Sequence, residues 1–359
     1  SAKTENSSES ENSKLFILEI EYGGIFEVTG VPEDQIHPYL LIECPRILFP
    51  YLRRIVGDVT GDGGFPPLNL EQINFLALYQ NEIENRRMLP PLMIAVAPNG
   101  ARKTKQDHPA LPTSAQELAA TARECREAGA CMIHLHVRDK KNGHTLDPIL
   151  YEEAIRAIRN EVKDGLILQI TTEAVGIYNA GEQIEVVKAV RPEAASIALR
   201  EFCPDASYEK AAGEFFEWMY KERIAPQYIL YDLEDLERFK IYCQKGLVPG
   251  HNHSILLVLG RYTREQQSDP KDLDPLLKGI PKDSNWWLCA FGKNESTCMS
   301  KVAELGGHCR VGFENNLYQS TGEIAKDNST SVKAINTIAV RKKRPIANAE
   351  RAREIMGFR

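Results

Sequence analysis

The chain has no CxxC pair, no Walker-type or GxGxxG loop and no excess of positive charge. Lys and Arg number 44 against 50 Asp and Glu, a net charge of -6 that offers no basic face to a nucleic-acid backbone. No uninterrupted apolar run approaches the ~20 residues needed to cross a bilayer. The start, SAKTENSSESENSK, lacks the apolar core of a signal peptide. These absences predict a soluble, cytoplasmic protein with neither nucleic acid nor membrane as partner. The eight cysteines (Cys44, Cys125, Cys131, Cys203, Cys243, Cys289, Cys298, Cys309) include several inside apolar runs, so they read as reduced and mostly core.

What is present is an ordinary globular composition, 43% apolar and 26% charged over 359 residues. A barrel of ~250 residues would leave roughly a hundred for a second unit. Residues 1–14 are polar and cannot repay the entropy of ordering, which predicts a disordered tail. LFILEIEYGGIF (15–26) alternates with a period of two and carries Gly23-Gly24, which reads as a strand with a bend or bulge. Pro45 and Pro50 then split an apolar pattern, and GDGGFPPLNL leads into NFLALYQNEIENRR. Residues 15–87 therefore read as a small α+β fragment, bounded by the polar, proline-rich NEIENRRMLPP at 81–91.

From residue 88 the pattern alternates between short apolar runs and helical segments. The runs are LMIAVAP (92–98), ACMIHLHV (130–137), LILQITT (166–172), AASIAL (194–199), QYILY (227–231), SILLVLG (254–260), WWLCAFG (286–292) and CRVGFE (309–314). Thr113 and Gln116 are spaced as a capping box for the first intervening helix, and Gly129 stops it. Eight such units over 88–359 predict an α/β fold, a (β/α)8 TIM barrel.

In such a barrel the chemistry gathers where strands end, so the polar residues at those ends are the candidates. His134 and His136, two apart on the second strand, project to one side and can share a metal ion. Glu314, at the end of a strand that closes beside the first, can complete a set of two imidazoles and a carboxylate. A lone strand histidine is more often a core residue; the HxH spacing at a barrel mouth is what favours a ligand pair.

Two stretches resemble known families. GGIFEVTGVPED, ECPRILFPYLRRI, GGFPPLNL and NFLALY, in order, resemble the C-terminal half of the SecB export chaperone over 15–83. That family's first strands have no counterpart in these residues, which puts chaperone activity in question and implies a fragment that folds by pairing with another copy. APNGARKT (97–104), GACMIHLHVRD (129–139), LQITTEAVG (168–176), RPEAASIALREF (191–202), LVLGRY (257–262) and GGHCRVGFENN (306–316) resemble the β-keto acid cleavage enzymes, the family of 3-keto-5-aminohexanoate cleavage enzyme.

That second resemblance implies Zn2+, or another divalent ion, on His134, His136 and Glu314, and acetyl-CoA as co-substrate. A β-keto acid would yield acetoacetate and a new acyl-CoA by Claisen and retro-Claisen chemistry. Arg310 matches the family's active-site arginine; its ordinary alternative is an ion pair across the rim. Asn315 stands where the aminohexanoate enzyme carries the carboxylate that serves as base, and an amide cannot take a proton. Glu173 and Glu201, at the ends of the third and fourth strands, are candidates for the missing base, unless they merely pair with Arg200, Arg102 or Arg261. Arg102 aligns with the glutamate that holds the substrate ammonium in the aminohexanoate enzyme. That reversal of charge implies a neutral or anionic substrate. Thr171, Thr172 and Arg261 are further candidates for substrate contact. CoA contacts would be spread over several loops. The competing readings are another metal-dependent barrel aldolase or hydrolase, separable by a CoA requirement, and a chaperone or scaffold fusion with a vestigial barrel. A homo-oligomer, and unfolded-polypeptide binding by the amino-terminal fragment, complete the expectations.

Overall fold

The computed structural model describes residues 16–80 and 89–357; the tail expected at 1–14 and the segment 81–88 lie outside them. The chain divides into two compact units, Ser1–Leu89 and Pro90–Arg359. Among the described residues no helix is long and apolar enough to cross a membrane.

In the first unit, one helix runs over Glu33–Asp62 with Pro38, Pro45 and Pro50 inside it. The expected split at Pro45 and Pro50 does not occur. Each proline removes one i→i−4 bond, but Cys44, Phe49, Val56 and Thr60 are buried along the helix. Phe49 packs edge-on against Phe75 at 5.7 Å, and Thr60 Oγ1 accepts from Leu68 N at 2.9 Å. Tertiary packing thus carries turns that the backbone ladder alone would lose. The strand expected over 15–26 is also corrected: residues 16–29 form no helix and pair with no strand. Alternation supplies a side-chain pattern, whereas a strand also needs a partner for its N–H and C=O groups.

The second unit is a closed barrel of eight parallel strands. We number them β1 (Ile94–Val96), β2 (Met132–Leu135), β3 (Ile167–Ile170), β4 (Ala194–Ala198), β5 (Ala225–Leu230), β6 (Ser254–Leu259), β7 (Asn285–Ala290) and β8 (His308–Val311). All eight expected runs supply a strand. They are short, apolar and nearly all buried, as strands covered on both faces must be. Between β1 and β2 lies the helix Ala115–Ala128, whose capping box is Ser114 with Glu117, one residue after the expected pair. Gly129 ends it in the left-handed conformation, as expected. Leu118, Ala122 and Cys125 on this helix join the layer between strands and helices. A second cluster, with Met93, Ala95, Met132, Ile167 and Trp287, fills the barrel interior. All eight cysteines are free, and only Cys243 is not fully buried.

Closure is what builds the site. β8 pairs with β1, Ala95 opposite Arg310, and β1 pairs with β2, Val96 opposite Ile133. The ends of β8 and β2 are therefore separated only by β1, although about 180 residues lie between them in sequence.

Candidate metal centre at the barrel mouth

His134, His136 and Glu314 come together where β2 and β8 end. The histidine Nε2 atoms are 3.2 Å apart, and Glu314 Oε2 lies 3.8 Å from His134 Nε2 and 3.4 Å from His136 Nε2. Donor atoms around one tetrahedral ion at ~2.0–2.1 Å would sit roughly 3.3 Å from each other. Glu314 Oε2 is buried with no hydrogen-bond partner, a costly state for a carboxylate oxygen unless a cation faces it. These residues fit a divalent cation.

The frame fixes each donor. Glu314 N donates to Ala97 O at 3.1 Å, and Phe313 N donates to Asn328 Oδ1 at 2.9 Å, so the turn after β8 is tied to the end of β1. Gly100, at φ 63°, passes so close that an added Cβ would lie 2.5 Å from Glu314 Cγ; only glycine permits both the turn and the approach. Asn99 Nδ2 donates to the main-chain oxygens of His136 and Pro112, each at 3.0 Å. Arg138 donates to the carbonyls of Gly100, Ala101 and Lys103, holding the loop after β1 against the end of β2.

Protonation states follow from this environment. Burial, with the Arg310 charge beside it, pushes His134 down to about 3, so its ring is neutral near pH 7 as a ligand requires. Its Nδ1 lies 2.7 Å from Gln169 Oε1, an acceptor that places the proton there and leaves Nε2 its lone pair. Gln169 Nε2 donates to Gln227 Oε1, and Gln227 Nε2 to Ser254 Oγ, each at 3.2 Å, so a polar line crosses the apolar interior. Burial alone would raise Glu314, but Arg310 and the two imidazoles outweigh it and hold the carboxyl well below its usual range. Arg310 Nη2 is 3.3 Å from Glu314 Oε1 and 3.3 Å from Cys289 Sγ.

Residues 91–358 match the model of a family described as beta-keto acid cleavage enzyme. The chain belongs to that family. A second match, over residues 1–86, is to preprotein translocase subunit SecB. The SecB of Ruegeria sp. (strain TM1040) is 65% identical over 77 residues, 21% of this chain and 47% of that protein. The SecB of Paracoccus denitrificans (strain Pd 1222) is 56% identical over 84 residues, 23% of this chain and 48% of that protein. The chain spans about half the length of the curated relatives it matches. Among solved structures, the binary complex of ObcA with oxaloacetate is similar in fold: TM-score 0.57, 16% identity, covering 69% of this chain and 67% of that one. The ternary complex of ObcA with a C4-CoA adduct and oxalate gives a TM-score of 0.58 at 15% identity, covering 69% and 68%.

Within this beta-keto acid cleavage fold, a small cavity of about 30 Å³ opens beside His134 and Glu314, and the other site residues divide by whether they face it. Thr171, Glu173, Arg261 and Arg310 line it. Glu173 and Arg261 form an ion pair at 2.8 Å. Thr172, next to Thr171, points the other way by strand alternation and donates to Ser196 O at 2.6 Å. Glu201 is tied to the frame: its Oε2 accepts from Ala174 N at 3.1 Å and Gln183 Nε2 at 2.7 Å. Arg200 pairs with Asp232 and Asp235. Asn315 is buried and donates to Arg310 O at 3.5 Å, away from the cavity lining. Arg102 is exposed and outside that lining, so the substrate argument built on its charge does not rest on contact.

Its neighbour Lys103 turns inward instead and donates from Nζ to Glu314 O at 2.6 Å. Sequence reasoning did not single out Lys103, Tyr231, Gln169 or Glu295. Gln169 carried a usable signal: it is the one amide inside LILQITT, an otherwise apolar run ending in hydroxyls.

Proposed function

We propose that the barrel cleaves a β-keto acid with acetyl-CoA as co-substrate and a divalent ion, zinc by choice of donors, on His134, His136 and Glu314. The products are acetoacetate and a new acyl-CoA. The observation that carries this is the convergence of two buried imidazole nitrogens and an orphaned carboxylate oxygen beside Arg310, at the end of the barrel where such enzymes work. Two imidazoles and one carboxylate form the donor set of an open, catalytic ion rather than a closed structural one. Membership of the family supports the reaction class. The ObcA complexes, with oxaloacetate and with a C4-CoA adduct, support the pairing of an oxo acid with CoA.

When bound, the ion supplies Lewis acidity toward the keto and carboxylate oxygens of the substrate. The chain's own groups do the rest. Glu173 is the carboxylate that lines the cavity without belonging to the ligand set, and it is our candidate base for the C2 proton. The C2–H bond breaks, its electron pair stays on the substrate, and that carbanion attacks the thioester carbon of acetyl-CoA and expels the CoA thiolate. The thiolate adds to the C3 carbonyl, the C2–C3 bond breaks to release the new acyl-CoA, and the acetoacetate carbanion takes the proton back from Glu173. Arg310, always charged, suits a developing oxyanion, and Thr171 lines the same cavity. Asn315 cannot take a proton, and Glu201 has one of its two oxygens held by two donors.

The purified 359-residue chain is expected to carry about one equivalent of zinc by elemental analysis and to form acetoacetate from acetyl-CoA and a β-keto acid. His136→Ala and Glu314→Gln are each expected to lose the ion and at least ~1000-fold in turnover. Undiminished turnover in either variant would remove the centre from the reaction.

A further inference from the structure

A second cavity, of about 550 Å³, lies at the other end of the barrel, where β5 and β6 begin, and shares no lining residue with the one beside the metal ligands. Sites for small organic ligands span roughly 300–1,000 Å³ and are mostly apolar, with a few fixed polar groups. The wall here comes from three elements. Phe216 and Tyr220 stand one turn apart on the helix Glu209–Lys221, so their rings share a face. Gln227 of β5 points into the barrel, where it bonds Gln169 and Ser254. Its neighbour Tyr228 therefore points outward, edge-on to Phe216 at 5.7 Å. Gly250, at φ 83°, lies against the Tyr220 ring: an added Cβ would be 3.0 Å from Tyr220 Cε2. Asn252 fixes this loop, donating from Nδ2 to Ile355 O at 2.9 Å and accepting at Oδ1 from Asn285 Nδ2 at 2.7 Å.

Burial sorts the lining residues. Phe216, Ile224 and Tyr228 are buried, whereas Tyr220, Lys221 and Arg223 are exposed. A ligand entering here meets aromatic surface inside and cations toward solvent. Two of these groups lack a partner. Tyr228 is 1% exposed, and among the described residues nothing hydrogen-bonds its hydroxyl, although a buried hydroxyl as a rule has a partner. The other is Arg223. Among the described residues no Asp or Glu lines the cavity; the adjacent Glu222 pairs with Arg191, and Glu217 pairs with Lys221 at 3.2 Å. One positive charge is thus left over at the opening.

We propose that this cavity binds a small aromatic acid, its ring system against Phe216, Tyr220 and Tyr228 and its single negative charge on Arg223. Aromatic side chains pack offset or edge-on against a flat ligand and gain more than from an aliphatic one of equal size. The guanidinium offers a carboxylate two parallel donors. A polar substituent on the ring gives the Tyr228 hydroxyl the partner it lacks. The site stands or falls apart from the reaction at the barrel mouth, with which it has no residue in common.

The test is calorimetric titration of the 359-residue chain with 2-naphthoate, its uncharged amide and the non-aromatic cyclohexanecarboxylate. Naphthoate is expected to bind at least ~10-fold more tightly than either of the others. Arg223→Gln should weaken naphthoate to the level of the amide, and Tyr220→Ala should bring it within ~3-fold of cyclohexanecarboxylate. Both side chains are exposed, so either variant stands in for the other if one fails to fold. His136→Ala, at the metal centre, should bind naphthoate as the unaltered chain does. Equal affinity for naphthoate and its amide overturns the inference, as does naphthoate binding that neither Arg223→Gln nor Tyr220→Ala weakens. Loss of binding in His136→Ala also overturns it, since the acid would then sit on the metal ligands. So does binding that appears only once residues 358 and 359 are removed, because the chain's own end, next to the lining residue Gly357, would then be the occupant.

Discussion

In the barrel every strand has a neighbour on each side, and the last pairs with the first. In the amino-terminal unit, residues 16–29 have the alternation of a strand and, among the described residues, no strand paired beside them. The two regions also differ in what they bury. Cys44, Phe49 and Val56 are the buried apolar side chains among the described residues of the first unit, each still 6–8% exposed. Ile36, Leu40, Leu41, Ile47 and Tyr51 on the same helix are exposed. Closure of a sheet removes the unpaired edge and gives each apolar run two packed faces at once. A sequence pattern for burial is therefore only an offer, taken up where topology supplies the second surface.

The largest effect that would sharpen this contrast is in amide exchange. Central barrel amides such as Ile133 and Leu168 should exchange about four orders of magnitude more slowly than those of residues 16–29, because only the former require global opening. Comparable protection in both segments would break the comparison. Next come the cores themselves. Phe202 is fully buried and stacks on Phe215 at 5.5 Å. Phe202→Ala should cost about 3–5 kcal/mol, whereas Phe49→Ala, in a helix with room to close on itself, should cost about 1–2 kcal/mol by chemical denaturation. Equal costs would mean that the amino-terminal unit is packed as firmly as the barrel.

The smallest effect concerns a charge that only a dense interior can perturb. Burial pushes the Glu295 carboxyl up from 4.5 to about 8, with its Asn316 hydrogen bond and Lys103 only partly offsetting this. The folded value lies above the unfolded one, so its contribution to stability is full below pH 4.5 and is lost as pH rises through about 8. Glu295→Gln should flatten the pH dependence of stability across that window by on the order of a few kcal/mol. An unchanged slope would mean that this carboxyl is solvated.

Much of the barrel and its centre could be read from the chain because the signals are local. An apolar run of five residues, a period of two at His134 and His136, and a count of eight bring His134, His136 and Glu314 to one rim with no long-range information. The remainder depended on partners distant in sequence. Thr171 and Thr172 are adjacent and chemically alike, yet one faces the cavity and the other is claimed by Ser196. Glu173 and Glu201 looked equivalent until Gln183 took the second. Arg102 and Lys103 exchange roles through the turn that Arg138 staples. In the first unit the reverse held: the proline rule was outweighed by packing, and alternation was left without a partner.

The line from His134 through Gln169 and Gln227 to Ser254 has a direction. An amide has one accepting end and one donating end, so the sense chosen at Ser254 fixes that of Gln227, then that of Gln169, and finally which nitrogen of His134 keeps its lone pair. The sixth strand is thereby linked to the electron donor offered by the second. A substitution on the far wall, touching neither ion nor substrate, would arrive at the mouth of the barrel as the wrong tautomer.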